Sequence, residues 1–139
     1  MKKSVFKKSG SFSVINFYKK FIKFYLTNNR KCGIMENDCI LIVDDEERMR
    51  KLIKDFLKQK NYNTMEAADG EEALKLFSEN QNRIRLILLD VMMPKLDGWS
   101  VLRQIRQKSN VPVIMLTARG EEQDELFGFE LGADEYISK

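Results

Sequence analysis

The chain has 139 residues, 43% apolar and 32% charged, a balance that suits one globular domain and excludes disordered or membrane-embedded material. Two cysteines, Cys32 and Cys39, and no histidine exclude the common zinc spacings and any histidine-based acid–base or triad chemistry. The net charge of +3 conceals an asymmetry: residues 1–34 carry nine Lys/Arg and no acid, whereas residues 35–139 carry fifteen Lys/Arg against twenty-one Asp/Glu.

Within the basic segment, residues 12–26 follow a helical period. Val14, Phe17, Tyr18, Phe21, Ile22 and Tyr25 share one face, and Asn16, Lys19, Lys20 and Lys23 the other. Lysines interrupt every apolar run, so the segment neither spans a bilayer nor supplies the apolar stretch of a secretory signal. A basic aromatic helix of this kind suits an anionic membrane surface. Met35 opens MENDCILIVDDE, a natural domain start, so residues 1–34 are expected to be a basic extension and 35–139 the domain, with the native start open between Met1 and Met35. With no secretory signal, the expected setting is the cytoplasm, with reduced thiols.

From residue 39 strands and helices alternate. Cys39–Val43 is a continuous β-branched run, the mark of a strand buried on both faces, and it stops at Asp44-Asp45. Met49, Leu52, Ile53, Phe56 and Leu57 then mark an amphipathic helix ending near Lys60. A weak strand at 63–67 leads through Asp69-Gly70 to a short helix carrying Ala73, Leu74 and Phe77. The strand 86–89 ends on Asp90, and the Asp97-Gly98 turn opens a helix with Val101, Leu102 and Ile105 inward. A fourth strand over 111–116 ends at Thr117, a fourth helix is expected from about Glu121 to Leu131 with Gly132 as its cap, and Tyr136–Ser138 begins a fifth strand before Lys139.

Such alternation implies a parallel sheet with right-handed crossovers and a ligand site at the carboxyl ends of the strands. Asp44, Asp45, Asp90, Thr117 and Lys139 all stand at those ends. Singly, each has a plainer explanation: an aspartate after a strand is ordinarily a cap or turn former, as expected for Asp97 and Asp134. Four strand ends each supplying a matching part point instead to a site. Three convergent carboxylates are tolerable around a divalent cation, and an all-oxygen donor set selects a hard ion such as Mg2+. Asp90 is then placed to attack a phosphorus, with Lys139 neutralising phosphoryl oxygens and Thr117 donating to one of them; the small Ala118 leaves room for the donor.

The segments ILIVDDEERMR, LILLDVMMPKLDGWSVL, PVIMLTA and LGADEYISK resemble, in order and spacing, the receiver domain of bacterial two-component response regulators, the CheY-like family. The resemblance covers residues 39–139 and implies a flavodoxin-like doubly wound parallel sheet of order 2-1-3-4-5. It implies a phosphoryl acceptor, not a turnover enzyme, in which Asp90 takes the group from a sensor histidine kinase. Asp45 would bind Mg2+ directly, Asp44 through water, and Met92 through its backbone carbonyl. Thr117 and Tyr136 would form the switch, and Lys139 would pair with the phosphate. LGADEYISK is most similar to the subfamily joined to a winged-helix DNA-binding domain, hence a role in transcriptional regulation.

The family pattern continues beyond the lysine with a proline and a fifth helix, whereas this sequence ends at Lys139. The expectation is a sheet lacking that helix, a weakened homodimer in which Glu130, Asp134 and Glu135 supply only the acidic half of the salt bridges, and a lysine compromised by a neighbouring carboxylate. Segment 12–26 is a candidate to cover the groove left by the fifth helix. Two rivals stand beside the receiver. A haloacid-dehalogenase-type phosphatase needs a second acid two residues after the nucleophile, where this chain has Met92; a non-switching interaction module would bind a kinase without accepting phosphate. No reader motif accompanies the basic residues, so no specific nucleic-acid contact is expected.

Overall fold

A computed structural model of the chain describes residues 5–6, 36–117, 130 and 132–138. The expected amphipathic segment 12–26, the fourth helix and Lys139 lie outside the described residues.

Six parallel strands form one sheet: β1 (Val5–Phe6), β2 (Cys39–Val43), β3 (Asn63–Ala67), β4 (Ile84–Asp90), β5 (Val113–Thr117) and β6 (Glu135–Ser138), in the order β1-β6-β5-β4-β2-β3. The five strands from β2 onward take the expected flavodoxin-like order, and β1 adds an outer strand that the sequence did not suggest. Its register pairs Val5 with Tyr136 and Phe6 with Ile137. Among the described residues, three helices are given in full: α1 (Glu47–Gln59), α2 (Gly70–Glu79) and α3 (Gly98–Arg106).

Side chains alternate across a strand, and that period of two divides the core into two layers. Ile40, Ile42, Leu86, Leu88, Ile114 and Leu116 face Ile53 and Leu57 of α1. Leu41, Val43, Ile87, Leu89, Val113 and Met115 face Ala73, Phe77, Val101, Leu102 and Ile105 of α2 and α3. Burying both faces explains why β2 is apolar at every position. Leu52, expected on the inner face of α1, is 43% exposed. A stripe resting on flat sheet is narrower than the periodicity suggests, and Ile53, Leu57 and partly buried Met49 and Phe56 fill it.

Local chemistry sets the helix ends. Asp69 caps α2 by accepting from Glu72 N at 2.9 Å, and Asp97 caps α3 by accepting from Ser100 N at 2.8 Å, as expected for Asp97. The α1 terminus is a Schellman turn: Asn61 takes φ 65°, its N–H reaches Lys58 O, and Tyr62 N reaches Leu57 O, both at 3.0 Å. The fourth expected strand begins at Val113 rather than 111, because Arg106 and Ser109 take the polar backbone groups of Val111. Asp134 does more than form a turn. Its Oδ2 accepts from Arg106 Nη2 and from Val113 N, each at 2.9 Å, tying the turn before β6 to α3 and β5. Among the described residues no helix is long and apolar enough to cross a membrane.

Candidate functional site

The strand order reverses between β2 and β4: from β2 the chain moves outward to β3, then crosses back to β4 on the other side. The carboxyl ends of those two central strands therefore border a crevice. Register places Val43 beside Leu89, so the next residues, Asp44 and Asp90, emerge side by side. Asp44 is fully buried and Asp90 is 3% exposed, while Asp45 is exposed at the rim. One carboxylate oxygen from each of the three lies within 4.8 Å of the others.

Backbone polarity holds this cluster in place. Asp44 Oδ1 accepts from Glu46 N at 2.9 Å, forming the turn into α1, and Asp44 N continues the sheet to Ala67 O at 3.2 Å. Arg50, on the first turns of α1, donates to the Asp44 carbonyl at 2.7 Å and lies 3.7 Å from Glu66. The guanidinium thus braces the main chain of the acidic cluster. Sequence reasoning missed Arg50, because its reach depends on how tightly the chain turns between β2 and α1.

Beyond Asp90, Val91 N bonds Leu116 O and Gly98 N bonds Val91 O, both at 2.9 Å, closing a loop over 91–97. Gly98 is a steric requirement, not only a turn residue: a Cβ there would lie 2.2 Å from Asp90 O and 2.8 Å from Val91 Cα. Met92 sits on this loop and is 53% exposed. Thr117 ends β5, one residue past the Asp90–Leu116 pair, and Tyr136 lies on β6 opposite Met115. The sheet thus brings Asp44, Asp45, Asp90 and the Thr117 backbone to one edge; Ala118 and Lys139 lie outside the described residues.

Two charges 4.8 Å apart repel by about 3.5 kcal/mol at an effective dielectric near 20. Among the described residues no other trio of potential metal ligands gathers in this way. An all-carboxylate set, two members of it buried, fits a hard divalent cation with room left for water or a phosphoryl oxygen.

Comparison with known proteins agrees with this geometry. The family of the response regulator receiver domain matches residues 40–139. The probable transcriptional regulator ycf27 of Guillardia theta is 50% identical over 100 residues, covering 72% of this chain and 39% of that protein. The transcriptional regulatory protein SrrA of Staphylococcus aureus (strain NCTC 8325 / PS 47) is 48% identical over 105 residues, 76% of this chain and 42% of that one. The chain thus spans about two fifths of the length of these curated relatives. Among solved structures, the receiver domain of the Francisella response regulator 1452 aligns with a TM-score of 0.69 at 36% identity, covering 74% of this chain and 84% of that one. The CheX-CheY-BeF3-Mg+2 complex from Borrelia burgdorferi aligns at 0.71 and 34%, covering 80% and 83%. With its crevice of aspartates at the switch point of a doubly wound sheet, the chain belongs to the response regulator receiver domain family.

Proposed function

We propose that this receiver takes a phosphoryl group onto Asp90 from a histidine kinase, with Mg2+ held by Asp44, Asp45, Asp90 and the Met92 carbonyl. The observation that carries the reading is the convergence of three carboxylates from adjacent strand ends to within 4.8 Å, Asp90 being the one on the central strand β4. Bound there, the cation would offset the negative charge of the carboxylates and of the incoming phosphoryl oxygens.

A carboxylate nucleophile calls for no histidine base, consistent with a chain that has no histidine. A carboxylate oxygen of Asp90 forms the new P–O bond as the donor's bond to phosphorus breaks. The bonding pair leaves with the donor atom, a nitrogen if the donor is a phosphohistidine. Burial of Asp90 keeps the acyl phosphate away from bulk water. Thr117, at the adjacent strand end, is the hydroxyl assigned to the phosphoryl group, Lys139 its cationic partner, and Tyr136 the residue whose state follows Thr117. The reaction is stoichiometric: the group is accepted, not turned over. By analogy with the longer transcriptional relatives, the acceptor belongs to a transcriptional response, read out through homodimers. A haloacid-dehalogenase-type phosphatase finds no support, since the matched family is a different one.

Intact mass after incubation with a small acyl phosphate and Mg2+ tests the proposal on the full chain and on Asp90→Asn in parallel. A single phosphoryl increment that requires the metal and is absent from the variant is expected. No increment in a chain with folded circular dichroism would refute phosphoacceptance and leave a non-switching binding module.

A further inference from the structure

We infer that Asp69 and Lys95 form a positioning clamp that holds the 91–97 loop over the acidic cluster and thereby tunes its affinity for the cation. The inference rests on the proposed metal-dependent role of Asp90 and Met92, and it adds two residues that no strand-end argument selects.

The loop is fixed at its ends by the sheet and by Gly98. Its middle lies against the turn that opens α2, and two contacts hold it there. Leu96 O rests on Gly70, where an added Cβ would lie only 2.4 Å away. Lys95 Nζ reaches Asp69 Oδ2 at 3.3 Å. Lys95 makes this contact from φ 66°, a left-handed conformation that residues with a Cβ rarely adopt and glycine adopts freely. A lysine at such a position is costly for the backbone unless its side chain returns something.

Asp69 is a fixed anchor because its two oxygens have separate duties. Oδ1 caps α2 through Glu72 N, and Oδ2 faces Lys95. The carboxylate's side chain is only 17% exposed, while Lys95 remains 59% exposed. Exposed ion pairs add little to stability. The expected consequence therefore concerns where the loop sits, and so where the Met92 carbonyl sits, three residues before the lysine.

The test measures Mg2+ affinity of the full chain by isothermal calorimetry, alongside the rate of phosphoryl incorporation from a small acyl phosphate. Asp69→Asn keeps an acceptor for Glu72 N and removes the charge. Lys95→Met removes the partner charge, Lys95→Arg retains it, and Asp69→Asn/Lys95→Met completes the cycle. Loss of an outer-shell partner commonly weakens metal binding by about 10–100-fold; for a pair half open to water we expect about three- to tenfold for each single charge-removing variant. The double variant should be no weaker than either single, and Lys95→Arg should bind as the wild type does, with melting temperatures nearly equal throughout. Unchanged affinity in both singles, or strictly additive losses in the double, would overturn the clamp while leaving the acceptor assignment intact. A wild-type chain that neither binds Mg2+ nor gains a phosphoryl group would overturn both.

Discussion

Replacing Asp90 by asparagine should stabilise the metal-free protein, although it removes the residue proposed to carry the chemistry. Asp44 and Asp90 are buried, and the three carboxylates converge within 4.8 Å. At that separation each fully ionised pair costs about 3.5 kcal/mol at an effective dielectric near 20. Asp45 is exposed and its share is screened, and an asparagine amide gives up part of whatever hydrogen bonding the carboxylate enjoys. The net gain at neutral pH is therefore about 1–3 kcal/mol, a rise in melting temperature of roughly 4 °C per kcal/mol for a domain of this size. Magnesium should close most of that gap or reverse it. Ligand at a hundred times its dissociation constant adds about 2.7 kcal/mol to a chain that binds it, and the variant should respond far less. Thermal unfolding followed by circular dichroism, in chelator and then in millimolar Mg2+, measures both effects. An Asp90→Asn chain that melts at or below the wild type in chelator would refute the claim that electrostatic repulsion dominates the empty cluster.

Gly98→Ala should lose about 1–3 kcal/mol of stability in urea titrations and should also weaken Mg2+ binding, since its Cβ would displace the Asp90 carbonyl. Arg106→Met should cost about 2–3 kcal/mol: it abandons the carbonyls of Gly132 and Val111 and the Asp134 carboxylate, measurable by the same titration. Leu57→Ala, at a fully buried position under the sheet, should cost about 2–5 kcal/mol and destabilise the chain with or without metal. The Asp69 carboxyl is held below its ordinary value, first by the hydrogen bond from Glu72 N and also by Lys95. Its contribution is therefore complete above the ordinary aspartate value of about 3.9 and fades as pH falls through the lower folded value. Any small offset between the melting curves of Asp69→Asn and wild type should therefore be the same at pH 7 and pH 5 and vanish only in stronger acid.

Much of the fold was legible from the residues alone, for reasons of periodicity. A continuous apolar run such as Cys39–Val43 has few soluble solutions besides a strand covered on both faces, and Ile53 and Leu57 repeat with the helical turn on one side of it. Aspartates that interrupt those runs must leave the core at a strand end, so Asp44, Asp45 and Asp90 could be assigned to one edge from chain order and the handedness of crossovers. The Asp97 cap was equally visible, because a cap acts over three residues.

Contacts between segments distant in sequence were decided only by the tertiary structure. Nothing in the spacing of Arg50, Glu66 and Asp44 shows that a guanidinium braces the acidic turn, since that depends on how α1 lies against β3. Asp134 reads as a turn former in isolation and becomes an anchor only when Arg106 and Val113 come within 3 Å. Leu52 follows the helical period and yet faces water, because the width of a buried stripe is set by the shape of the surface it meets. Gly98 and Lys95 resolve as requirements of close approach and clamping once the loop after Asp90 is folded back onto its neighbours. Periodicity and capping act over a few neighbouring residues and are written in the chain; steric approach and charge pairing across 25 residues or more exist only after the chain has closed on itself.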